Sequence, residues 1–273
     1  MKSLFTITIM VLFTMMVNGQ DQYFELVPKI DGNSTDWSNQ ETSLDDKTGF
    51  ITGARNDSQF LYLIFKSNKP STINKAMQAG MTLSLKAKTK PKLNAKLDFP
   101  LPGERTQFNG QQRGGNGGGG QNPSEREARR NELMTTLLAS KTEAKLKGFT
   151  KTEGTLQLEE LEGIQLALNV EGEGQSRTFN YEVSIPLSEL FGEGFMLAEL
   201  TSIPLEIEFD VKAVSAPQQG GDNPGFSSTS GGRGGAGGGG RGGAPRGGAP
   251  TGGPTGEMYS SQSVKIEYIL KSN

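Results

Sequence analysis

Val27-Pro28-Lys29-Ile30-Asp31-Gly32-Asn33-Ser34-Thr35-Asp36-Trp37, followed by Ala54-Arg55-Asn56-Asp57-Ser58-Gln59-Phe60-Leu61-Tyr62-Leu63-Ile64-Phe65, decides the fold. In the first segment Asp31-Gly32 is a turn signal, because glycine supplies positive φ and aspartate can bond back to the turn backbone. Asp36-Trp37 then delivers the only tryptophan of the chain where that turn closes. In the second segment Asn56 to Gln59, rich in turn formers, lies between two strand-like runs, the pattern of a hairpin. Phe60 to Phe65 is apolar on both faces, so it belongs at the centre of a sheet.

Outward from that hairpin the chain alternates with period two. Met81, Leu83, Leu85 and Ala87 share one face, and Leu93, Ala95, Leu97 and Phe99 alternate with Asn94, Lys96 and Asp98. The same habit returns at Ile164 to Val170, Tyr181 to Ile185, Leu205 to Val211 and Val264 to Leu270. Charges on the alternate positions predict antiparallel sheets with one solvated face, hence a β-sandwich. Tyr23 to Val27 reads as a strand leading into the first turn. One helix interrupts: Ser124-Glu125-Arg126-Glu127 fits a capping box after Pro123. Leu133, Met134, Leu137 and Leu138 then form a stripe at helical spacing. They predict a helix from Glu125 to Lys145, ended by Gly148 and packed over the sandwich.

The chain has 273 residues, of which 38 are glycine, about twice the usual share. Lys2 and the apolar run Leu4 to Val17 form a signal peptide too short to span a bilayer comfortably, with cleavage expected after Gly19. Residues 20–273 are then expected to be a single exported domain, in the periplasm, on the cell surface or outside the cell. The glycine excess lies in two tracts, about 103–121 and 215–256. Their composition cannot bury apolar surface, so both are expected to be disordered insertions between strands. Lengthening a loop from about 5 to about 40 residues costs only about 2 kcal/mol of closure entropy.

The chain contains neither cysteine nor histidine, and its formal net charge is −2. Disulfides, thiol nucleophiles and Ser–His or Cys–His catalysis are therefore excluded. Asp31, Asn33 and Asp36, or Asp45 and Asp46, supply oxygens of the type calcium takes, but they match no loop signature, and turn capping explains them. Glu159, Glu160 and Glu162 form the densest acidic cluster, yet they sit in a short polar connection with nothing converging on them. These residues point to a protein that is not an enzyme. Arg233, Arg241 and Arg246 make the second glycine tract locally basic, which offers contact with a polyanion.

Three motifs in order resemble the family 9 carbohydrate-binding module and its DOMON-like relatives. They are Ile30-Asp31-Gly32 to Asp36-Trp37, Asn56-Asp57 followed by Leu61-Tyr62-Leu63, and Tyr181-Glu182-Val183-Ser184-Ile185-Pro186-Leu187-Ser188-Glu189-Leu190. The resemblance marks Asp31, Gly32, Asp36, Trp37, Asp57, Tyr62, Ile185 and Pro186 as a framework motif. It implies a β-sandwich and, in xylanase-linked members, sugar chain ends clamped between aromatic side chains, chiefly tryptophans. Here the sole tryptophan falls in the framework motif, where a core role is expected. Phe108, Phe226 and Tyr259 lie in or beside the glycine tracts, unsuited to a rigid stacking platform. Other relatives bind haem; with no histidine, neither haem nor any other cofactor is expected. The resemblance implies a non-enzymatic binding or accessory module for carbohydrate. The alternative is a surface protein whose basic loops contact polyanions.

Overall fold

The computed structural model describes residues 27–103, 123–172, 176–215 and 255–272. The signal segment, most of both glycine tracts, Phe108, Phe226 and the three tract arginines lie outside the described residues.

Two antiparallel sheets pack face to face, the β-sandwich that the alternation predicts. The first runs β1 (Thr42–Asp45), β2 (Phe50–Asn56), β3 (Phe60–Ser67), β9 (Thr178–Pro186), β8 (Gln165–Glu171) in spatial order. The second runs β11 (Gln262–Tyr268), β10 (Leu205–Val211), β4 (Met81–Ala87), β5 (Leu93–Asp98), β6 (Glu143–Lys147), β7 (Gly154–Gln157). Aromatic rings pin the sheets together. Phe65 of β3 meets Phe209 of β10 at 5.4 Å between ring centroids. Tyr181 of β9 meets Phe209 edge-on at 6.0 Å. After the second glycine tract, β11 pairs along the whole of β10, from Val211↔Gln262 to Leu205↔Tyr268. That seven-residue ladder is how the sandwich tolerates so long an excursion.

The central position foreseen for Phe60 to Phe65 is correct, and the structure gives its reason. Leu61, Leu63 and Phe65 enter the core between the sheets, while Tyr62 and Ile64 on the other face are buried against Trp37. The segment Lys29 to Trp37, which closes in a short 3-10 turn (Ser34–Asp36), lies across the outer face of this sheet. Period two in β9 is therefore misleading about solvent. Asn180, Glu182 and Ser184 stand at the alternate positions, yet all three are buried, and Asn180 and Glu182 bond directly to that segment.

The helices differ from expectation more than the strands do. α1 (Pro70–Ala79) was not foreseen, although Pro70 opens it, Ile73, Ala76 and Met77 face the core, and Gly80 follows its end. α2 (Pro123–Ala139) begins and ends earlier than the predicted helix. Glu143 to Lys147 is instead strand β6, because only an extended chain places both Ala144 and Leu146 in the core with three exposed polar neighbours. Gly148, at φ +76, is thus the turn between β6 and β7 and not a helix stop. Of the predicted stripe, Met134 and Leu138 pack on the core, whereas Leu133 and Leu137 face solvent. Three short helices complete the set among the described residues: α3 (Leu187–Phe191), α4 (Leu197–Leu200) and α5 (Thr255–Met258). Strands β1, β6 and β7 were likewise not anticipated. Val27, expected to end a strand, is irregular and exposed, and residues 23–26 lie outside the described residues.

Candidate functional site

The framework motif assembles around one buried carboxylate. Glu182 Oε2 accepts from the backbone N–H of Gly32 at 2.8 Å and of Asp31 at 3.2 Å. Its Oε1 accepts from the Trp37 indole at 2.9 Å. Burial pushes the Glu182 carboxyl above its ordinary value, against the pull of the Gly32, Trp37 and Asp31 hydrogen bonds. Asn180 holds the same turn by donating to the Gly32 carbonyl at 3.1 Å. The Arg55 guanidinium lies 4.9 Å from the Trp37 ring centroid and pairs with Glu41 at 3.0 Å. Trp37 is thus wrapped on both sides, with no open face for a sugar to stack on.

The other framework residues serve the hairpin and its neighbour. Asp57 Oδ1 accepts from the backbone of Gln59 and Phe60, each at 2.7 Å, and its Oδ2 takes the Tyr62 hydroxyl at 2.7 Å. Ile185 is fully buried and Pro186 stands at the position just before α3. Of the residues considered for calcium, Asp46 is exposed, and the other four are engaged in local caps. Asp31 accepts from Asn33, Asn33 from Thr35, Asp36 from Lys29, and Asp45 from both the backbone and hydroxyl of Thr48. Glu160 caps the turn at Leu158–Glu160 by accepting from Gln157 at 3.0 Å, while Glu159 and Glu162 are exposed. The three glutamates do not converge.

A cleft lies elsewhere, between α2 and β8. Among the described strands β8 is the edge of its sheet, paired on one side only, with β9. One recess of about 420 Å³ is lined by Asn131, Met134, Thr135, Leu138, Asn169, Val170, Gly172 and Arg177. A second, of about 530 Å³, shares Thr135, Leu138 and Asn169 with it, so the two adjoin. Four consecutive β8 residues, Leu166 to Asn169, line the larger recess. Successive strand side chains point to opposite faces, so a wall made of all four is the strand's edge, with its unladdered backbone groups. Leu138, Leu158, Leu166 and Leu168 supply apolar surface, and Thr135, Thr142, Lys141, Glu159 and Asn169 supply polar groups. Lys141 also ties this end of α2 down by donating to the carbonyls of Met77 and Leu101.

Among the described residues the cleft gathers no pair of exposed aromatics: Phe99, the one ring that lines it, is buried. Tyr259 is exposed but lies just after α5, and is not among the residues lining the cleft. Sequence reasoning missed both the cleft and Glu182. The signal for Glu182 was present, since it is the second residue of the third motif. It stood at a position the alternation assigned to solvent. The cleft had no such signal, because α2 and β8 are brought together only by the packing of the sheets.

The fold and this cleft define a two-sheet antiparallel sandwich with a helix laid along one sheet edge. No protein-family model, curated protein or solved structure matches the chain.

Proposed function

We propose that the protein is an exported, non-enzymatic binding or accessory module of the family 9 carbohydrate-binding type, and that it holds a carbohydrate in the cleft between α2 and β8. The observation that carries this reading is the composition of the cleft: apolar leucine surface beside a strand edge and several hydrogen-bonding side chains. A sugar ring has the same dual character, with apolar C–H faces and a rim of hydroxyls. Both recesses fall within the range of about 300–1,000 Å³ typical of small-ligand sites. The three motifs support the family type, and the run Leu4 to Val17 supports export. In this reading the cleft replaces the aromatic clamp, and Trp37 is framework.

Glycan-array screening followed by calorimetry with soluble oligosaccharides tests the proposal. The expected result is saturable binding, with amide shifts at Leu166 to Asn169. No binding by a sample shown to be folded by circular dichroism would remove it.

A further inference from the structure

We propose that the Arg177 end of the cleft receives a carboxylate, so that the preferred ligands are acidic saccharides carrying uronate residues. This rests on the carbohydrate reading above and specifies its ligand class.

Arg177 stands just before β9 and is 7% exposed, yet it lines the smaller recess. Its guanidinium donates to the side-chain oxygen of Asn131 on α2, a neutral amide. Among the described residues no carboxylate forms an ion pair with it. Burying a cation without an anion is costly, and the usual remedy is a paired carboxylate. Arg55 shows that remedy in this same chain, through Glu41. Arg177 instead has an open recess in front of it.

The recess suits an anion. Among the described residues that line it there is no aspartate or glutamate. The Asn169 side-chain oxygen is occupied by the Val170 backbone N–H at 2.8 Å, which leaves the Asn169 amide as a donor. Guanidinium and amide donors facing one space favour a planar acceptor, and the arginine fork matches a carboxylate with two parallel hydrogen bonds. The adjoining larger recess then takes the neighbouring sugar units against its leucines.

Calorimetry on the full chain would compare an oligogalacturonate, its methyl-esterified counterpart, a neutral xylo-oligosaccharide and sodium sulfate. Asn131→Asp places a carboxylate beside Arg177 from an exposed helical position, so it should fill the anion's place without disturbing the core. The acidic oligosaccharide should bind the native chain. Its affinity should fall at least about tenfold on esterification and in N131D, the loss expected for one charged hydrogen bond. The esterified ligand makes the comparison without any variant. Equal binding of acidic and neutral chains, or no effect of N131D, overturns the uronate proposal while leaving the carbohydrate reading standing. Binding of sulfate alone, or of no saccharide, overturns both.

Discussion

The Trp37 indole N–H donates to Glu182 Oε1 at 2.9 Å, joining residues 145 positions apart in the chain. Both side chains are buried, so the bond fastens the first turn to β9 across the outer face of the sheet. Trp37→Ala should cost about 3–5 kcal/mol in urea denaturation, the usual range for emptying a large aromatic site. Glu182→Ala should cost at least about 1–3 kcal/mol, because the donors of Gly32, Asp31 and Trp37 lose their acceptor. The two losses should not add in the double variant, since they remove one shared contact. A stable Trp37→Ala protein that had lost only ligand binding would contradict the framework assignment.

The same carboxylate predicts a pH signature. Burial raises the Glu182 carboxyl above its unfolded value. Between those two values the folded chain holds a proton that the unfolded chain has released, so this group's contribution falls as pH rises. Asp98 behaves in the opposite way. Burial pushes its carboxyl up, but Thr82 and Lys212 together hold it below the usual range. Its contribution is present above the unfolded value and is lost as pH falls. The stability difference between the native chain and Glu182→Ala should therefore shrink as pH rises above the ordinary glutamate value of about 4.3. A pH-independent difference would refute this account.

Gly32 links the turn to the cleft. Its φ is +78, and an added Cβ would lie 2.6 Å from Asn169 Cβ on β8. Gly32→Ala should lose about 1–2 kcal/mol from backbone strain alone, with the overlap adding to it. Because Asn169 lines both recesses, the variant should also weaken ligand binding, measurable by calorimetry at a temperature where it remains folded.

The ends of the second glycine tract are tied together. The Val214 N–H donates to the Met258 carbonyl at 2.9 Å. Lys75 Nζ is fully buried and donates to Glu257 O, Ser260 O and Gln262 Oε1 at 3.2, 3.0 and 2.9 Å. Deleting residues 220–250 should leave the melting temperature within a few degrees, since closure entropy changes slowly with loop length. Lys75→Met should instead cost about 1–3 kcal/mol and speed amide exchange at 257–262. If the deletion proved the more damaging change, the tract itself would have to make stabilising contacts.

Strands were the most legible part of the chain. The β4, β5, β10 and β11 segments announce themselves because alternation is local and one face of each meets the core. The signals for α1 were equally local, in Pro70, Ile73, Ala76, Met77 and Gly80, and were available to sequence reading. The end of α2 was harder. Ala144 and Leu146 fit the tail of a helix or a short strand, and only pairing with β5 and β7 selects the strand.

Alternation alone was enough to specify a sandwich of antiparallel strands, and the turn motif was enough to place Trp37 in its framework. Where solvent stops depends on long-range packing. Glu182 occupies a position that period two assigns to water, and the Lys29 to Trp37 segment, far away in sequence, covers it. Arg177 likewise reads as an ordinary loop cation until α2 packs beside β8 and encloses it in the recess. Periodicity reports which way a side chain points from its own strand. Whether another segment then lies over that face depends on long-range packing, which no local pattern records.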